Sequence, residues 1–274
     1  MEVFNGQVNN THYGADVLIS DTSRPVVFTF DTAGTCGPFR NRIGWGYDYV
    51  CRKGLNVVSF KEGDPEGWFR GPDFLDLVDE LKDRLDFGRF PARITYGGSM
   101  GGYAASSLAR RLSIDRALLC NPFSTLAPDL VPWETRYPER RRFDWTANGA
   151  DGAAECSDVA ELIVVADPLF EPDNRHALRY LAANPRAQYL RIPGVGHRMP
   201  VHMKALGVLD ACFDHIAGLA PLDLAEFRRK VRSRRSYVEY YKWLLSEENR
   251  RLTPQRAAII TAHARRRAIN PLTA

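Results

Sequence analysis

Ser99 lies in Tyr96-Gly97-Gly98-Ser99-Met100-Gly101-Gly102-Tyr103, a G-x-S-x-G pattern. The chemistry it suits is nucleophilic attack by a hydroxyl. A serine on a sharp strand-to-helix turn takes a strained backbone, and only small residues two positions away on each side allow so close an approach. The turn exposes Oγ at a helix N-terminus, where backbone N–H groups can receive a developing oxyanion.

A hydroxyl nucleophile needs a base, and the base needs an orienting acid. On such a turn the order along the chain is Ser, acid, His. Asp167 directly follows the apolar run Leu162–Ala166. That places it at a strand's C-terminal end, where open parallel sheets carry their active groups. It is expected to accept the Nδ1–H bond of the histidine. Asp173 is the reserve acid, one turn farther on, and otherwise caps the helix starting near Pro172. His197 follows Pro193-Gly194-Val195-Gly196, just past the last predicted strand. It is expected to serve Ser99 as general base and then the leaving group as general acid. Two N–H donors are needed for the oxyanion. One is expected from Met100, the other from Asp31-Thr32-Ala33-Gly34, with Thr32 first and Ala33 next.

The remaining histidines suggest no further site. His176, His202, His215 and His263 fall in predicted helices, and His12 lies near the N-terminus. His197 and His202 are five apart, not the i, i+4 spacing of a helical zinc pair. Neither metal nor cofactor is expected.

The elements that must position these residues alternate along the chain. Val17–Ser20, Pro25–Phe30, Leu55–Phe60, Arg93–Tyr96, Arg116–Asn121, Glu161–Ala166 and Gln188–Ile192 read as strands. Asp73–Leu85, Tyr103–Leu112, Pro172–Ala183 and Val201–Ile216 read as helices, the first with Phe74, Leu75, Leu77, Val78, Leu81 and Leu85 on one face. Strands alternating with helices imply an α/β fold, a doubly wound and mostly parallel sheet with helices on both faces. The expected domain runs over 1–220, with a lid inserted at about 122–157 and a helical C-terminal extension over 221–274.

The elbow Gly97–Gly102, the step from strand to Asp167-Pro168 and Gly194-Val195-Gly196-His197 together resemble the α/β-hydrolase superfamily over roughly residues 15 to 217. Tyr-Gly-Gly-Ser-Met-Gly-Gly-Tyr-Ala-Ala is also similar to small hydrolases encoded with bacterial surface-polysaccharide and glycan-modification enzymes, including the accessory-secretion acetyltransferase-like proteins. The resemblance implies a serine esterase or an acyltransferase using the same acyl-enzyme, with a small-molecule or glycan ester as substrate. A serine peptidase of the same fold is the alternative. One departure bears on the acyl group accepted: Phe30-Asp31-Thr32 stands where the superfamily often has His-Gly.

The lid mixes aromatic rings with arginines in Trp133-Glu134-Thr135-Arg136-Tyr137 and Arg140-Arg141-Arg142-Phe143-Asp144-Trp145. Trp133, Arg136 and Trp145 are the candidate substrate contacts, rings for stacking and arginine for an anionic group. The competing reading is a solvated loop with its Trp rings anchored in the core.

The chain carries a net charge of +4, unevenly spread. From Pro221 onward there are 13 Lys/Arg against 5 Asp/Glu, so the preceding 220 residues hold the other 24 and 28. The basic tail is read as two helices, Leu222–Ser246 and Pro254–Ile269, with Thr253 as N-cap. Its Tyr237, Tyr240, Tyr241 and Trp243 suit packing on the domain or an interface between copies of the chain. Binding of nucleic acid is not expected, since charge runs usually form solvated faces. A non-catalytic scaffold acting through this tail is the third reading. No apolar run approaches the roughly 18 residues of a membrane span. No secretory signal is seen, and five cysteines without CxxC spacing fit a reducing, cytoplasmic setting.

Overall fold

The computed structural model describes residues 4–63, 67–147 and 149–269. Among them eight strands form one sheet: β1 (Phe4–Asn9), β2 (Tyr13–Ile19), β3 (Val26–Phe30), β4 (Asn56–Glu62), β5 (Arg93–Gly98), β6 (Arg116–Cys120), β7 (Glu161–Ala166) and β8 (Gln188–Arg191). Their spatial order is β1-β2-β4-β3-β5-β6-β7-β8. Pairing is antiparallel for β1 with β2 and β2 with β4, and parallel from β4 through β8. β3 (Val-Val-Phe-Thr-Phe) is buried throughout, as a strand covered on both faces must be.

The helices are α1 (Tyr47–Arg52), α2 (Pro72–Leu85), α3 (Met100–Ser107), α4 (Gly152–Glu155), α5 (Glu171–Ala183), α6 (Met199–Ala205), α7 (Leu209–Ile216), α8 (Leu224–Arg232), α9 (Val238–Leu244) and α10 (Pro254–Arg266). Alternate strand residues feed two cores. Phe28, Leu162 and Val164 join Phe74 and Leu77 of α2, Tyr103 of α3 and Tyr180 of α5 on one face. Val27, Ile163 and Val165 join Val50 of α1, Met203 of α6, Phe213 of α7 and Phe227 of α8 on the other. Each such fully buried side chain contributes on the order of 2 kcal/mol of transfer free energy.

Several expected boundaries differ. β1 went unseen because Asn5, Gly6, Gln7 and Asn9 lack the β-branched signature, and its pairing with β2 supplies the order instead. The expected helix Val201–Ile216 is two helices, broken at Gly207 with φ +67°. The first tail helix breaks at a 3-10 turn, Ser233–Ser236, before α9. The helix after Ser99 begins at Met100, three residues earlier than its low-propensity glycines suggested.

Candidate active site

The C-terminal edge of the sheet collects the candidate side chains. Ser99 follows β5, Asn121 follows β6, Asp167 follows β7, and the loop carrying His197 follows β8. Ser99 N–H donates to Cys120 O at 3.0 Å, which ties the elbow to the neighbouring strand. Its φ of 55° and ψ of −123° lie where L-residues rarely sit. The flanking glycines permit this. A Cβ on Gly97 would lie 2.3 Å from Gly101 O, and one on Gly101 would lie 2.6 Å from Phe30 O.

Ser99 Oγ is 2.8 Å from His197 Nε2. His197 Nδ1 is 2.7 Å from Asp173 Oδ2. The acid against the histidine is therefore Asp173, in the first turn of α5, and not Asp167. Asp167 lies fully buried at the end of β7, as expected, but its oxygens are taken by backbone. Oδ2 accepts from Val195 N–H at 2.7 Å and Gly196 N–H at 2.8 Å, and Oδ1 from Leu169 N–H at 2.8 Å. Burial pushes its carboxyl up, against the downward pull of these N–H donors. Asp167 thus shapes the histidine loop from beneath, one step removed from the imidazole. Asp167→Asn is expected to destabilise the fold by about 2 kcal/mol, since the amide presents an N–H to a backbone N–H. A urea melt checks this.

The tail also packs against that loop. Gly194 and Gly196 have φ of +80° and +66°. A Cβ at Gly194 would lie 2.5 Å from the Tyr240 ring, and one at Gly196 would lie 2.4 Å from Trp243 Nε1. The aromatic face of α9 therefore docks on this chain's own histidine loop. Tyr237, the extended residue just before α9, places its hydroxyl 3.2 Å from His202 Nδ1.

The candidate oxyanion donors divide. Met100 opens α3, so its N–H has no acceptor within the helix. Thr32 does not present its amide, because that N–H donates to Thr35 Oγ1 at 2.9 Å within a tight turn. Ala33, the second choice, has no partner for its N–H among the described hydrogen bonds. The turn hangs on Asp31, a buried carboxylate that sequence reasoning passed over. Arg42 donates to its two oxygens at 3.0 and 2.5 Å, and Glu62 N–H donates at 3.0 Å.

The lid residues are placed otherwise than their types suggested. Trp133 packs edge-on to His176, 4.7 Å between ring centres, beneath the Arg175 guanidinium. Trp145 is buried, donates Nε1–H to Arg140 O at 2.9 Å, and packs on Tyr103 and Arg70. Among the described contacts neither ring reaches Ser99 or His197; Trp145 is buried and Trp133 half-buried. Arg136 does reach the site, but as part of its frame. Its Nη1 lies 2.9 Å from Asp173 Oδ1 and 3.2 Å from His197 Nδ1, and Glu134 holds the rest of the guanidinium. Most of its N–H donors are thus held within the protein, although the side chain keeps 23% exposure and lines the neighbouring cavity. Asn121, with φ +40°, sets its Nδ2 3.1 Å from His197 Nδ1. Neither it nor the Glu134 and His176 pair was signalled by a motif. A cavity of about 530 Å³ behind Arg136 and Phe170 is lined also by Asn174, Glu248 and Arg251, and not by Ser99, His197 or Asp173.

Among the described residues no group of three His, Cys, Asp or Glu side chains is placed to hold a metal ion, and no helix is long and apolar enough to cross a membrane. No family model and no curated protein matches the sequence. Known structures do resemble it. Carboxyl esterase 2 of the mycorrhizal fungus Tuber melanosporum superposes with a TM-score of 0.54 at 16% identity, over 84% of this chain and 88% of the esterase. The capsule O-acetyltransferase of Neisseria meningitidis serogroup A gives 0.52 at 11% identity, over 77% and 93%. The acylaminoacyl peptidase of Pyrococcus horikoshii gives 0.58 at 14% identity, over 82% of this chain but 43% of the peptidase. With the mostly parallel eight-stranded sheet and its strand order, these similarities establish that the chain has the α/β-hydrolase fold.

Proposed function

We propose that the protein is a serine hydrolase, or an acyltransferase of the same chemistry, acting on a carboxylic ester. The observation that carries this is the unbroken line Ser99–His197–Asp173, two hydrogen bonds of 2.8 and 2.7 Å behind a strained elbow. A buried aspartate on Nδ1 keeps that proton in place and leaves Nε2 free to take the serine proton.

The steps follow from these positions. Ser99 Oγ attacks the ester carbonyl as its proton passes to His197 Nε2. The carbonyl oxygen becomes an oxyanion, held by the N–H groups of Met100 and Ala33. The C–O bond to the alcohol then breaks, and the Nε2 proton goes to the departing oxygen. Water, or the hydroxyl of an acceptor, repeats the sequence on the acyl-Ser99 and restores the enzyme. The substrate class we propose is a small-molecule or glycan ester. Five unpaired cysteines support a reducing, cytoplasmic setting. If the chain self-associates through its tail, α10 offers the apolar surface, with Ile259 66% exposed.

An aryl acetate should give a pre-steady-state burst of phenol equal to the enzyme concentration, with a trapped acetyl group on the peptide carrying Ser99. Added polyols that speed turnover and become acetylated would mark a transferase. Turnover of an aminoacyl amide in preference to the ester would overturn the ester assignment in favour of a peptidase.

A further inference from the structure

The lid sends a chain of charge inward to the triad, and each link has its polarity fixed by the one before. It begins at His176, fully buried on α5. Ser124 N–H lies 3.1 Å from His176 Nδ1. A backbone N–H can only donate, so Nδ1 is bare and the proton sits on Nε2. Burial pushes the ionisation of His176 down, consistent with a neutral ring. Nε2–H then donates to Glu134 Oε2 at 3.0 Å, which requires an ionised Glu134. Burial alone would raise this carboxyl, but His176 and Arg136 more than offset that and hold it at about 2.

Glu134 in turn grips Arg136 through two donors, Nε to Oε1 at 3.0 Å and Nη2 to Oε2 at 2.7 Å. The guanidinium plane lies 4.4 Å from the Phe123 ring and 5.5 Å from the Phe170 ring. What remains for Asp173 is Nη1, bonded to Oδ1 at 2.9 Å. Asp173 Oδ2 is left to the imidazole.

We propose that Glu134 and Arg136 are positioning residues for Asp173: by holding the Nε and Nη2 edge, Glu134 sets the guanidinium so that Nη1 meets one carboxylate oxygen and the other is left to His197. The inference rests on the reading of Ser99, His197 and Asp173 as a catalytic triad. Without Glu134, Arg136 would turn its fork to both oxygens of Asp173, the geometry a guanidinium and a carboxylate prefer. The imidazole would then lose its anchor on Nδ1. The charges also suit the reaction. Glu134, Arg136 and Asp173 sum to one negative charge, which the imidazolium formed during attack neutralises. Ser124, His176 and Glu134 resemble a second triad, but all three are buried and His176 turns Nδ1, not Nε2, toward the serine.

The test compares Glu134→Gln, Arg136→Met and the double variant with wild type. Active sites are titrated with a fluorophosphonate, and kcat and KM for an aryl acetate are expressed per titrated site. Glu134→Gln should lower kcat about a hundredfold with KM nearly unchanged, the scale of an ångström's misplacement. Arg136→Met, which removes the competitor together with one anchor, should lower it only about tenfold. The double variant should match Arg136→Met and so recover activity that Glu134→Gln lost. If Glu134→Gln does not fold, Glu134→Asp takes its place, since a shorter carboxylate cannot span both donors. Full kcat per site in the Glu134 variant, or a double variant no better than it, overturns the inference. A wild type that neither titrates nor turns over the ester defeats the triad reading itself, a distinguishable failure.

Discussion

Ser99→Ala is expected to lower kcat on a carboxylic ester about a millionfold, with the fold intact. Members of a triad act as a unit, so loss of the nucleophile alone removes nearly all that the triad supplies. The residue left in place has the same backbone demand. Alanine at φ 55° is strained as serine is, and the glycines that make room for the elbow are untouched. The melting temperature should therefore stay within a degree or two, and the substrate should still bind. Equilibrium binding of a non-hydrolysable ester analogue, measured beside turnover, separates lost chemistry from lost structure.

Asp173→Asn is expected to lower kcat by about 10⁴-fold, through the wrong histidine tautomer. The direction of the asparagine amide is dictated by Arg136. Its Nη1–H, now facing Asp173 Oδ1 at 2.9 Å, demands an acceptor, so the amide oxygen must turn that way. The amide nitrogen then faces His197 Nδ1, where Asp173 Oδ2 sits 2.7 Å away in the native protein. An N–H donor there forces the imidazole proton onto Nε2. That nitrogen can no longer accept the proton of Ser99. The loss should appear in kcat with KM little altered. Asp167→Asn should act chiefly on stability, and the contrast decides between the two aspartates.

That contrast also marks where the sequence stopped being legible. The elbow was readable because its glycines are steric requirements of the turn, written at fixed spacing around Ser99. His197 was readable because the Gly194 and Gly196 pair marks a loop at a strand end. The two aspartates have no such mark. Both lie near the end of β7, six residues apart, and each fits a local role, Asp167 in a turn and Asp173 in the first turn of α5. Which one meets the imidazole depends on how far α5 leans over the sheet, a matter of tertiary packing. The same holds for the lid. Its arginines look alike along the chain, yet only the setting of Phe123, Phe170 and Glu134 around Arg136 distinguishes it from Arg140 or Arg142. The Trp rings of this segment fit either an anchor or a platform by type alone; Trp145 is buried, whereas Trp133 is half-buried against His176 and Arg175. Thr32 failed as a donor for a local reason that only coordinates reveal, the capture of its N–H by Thr35.

The tail shows the same division. Its charge and its aromatic residues were plain in the sequence. That Tyr240 and Trp243 close over Gly194 and Gly196, three residues or fewer from His197, was not. The extension thus packs against the loop that carries His197.

The central claim is that Ser99 is a nucleophile activated by His197, and covalent labelling reaches it most directly. Wild-type protein treated with a fluorophosphonate should gain the mass of one phosphonyl group per chain, mapped by peptide fragmentation to Ser99, with none gained by Ser99→Ala. Folded wild-type protein that stays unlabelled, or a label retained in Ser99→Ala, would contradict the account.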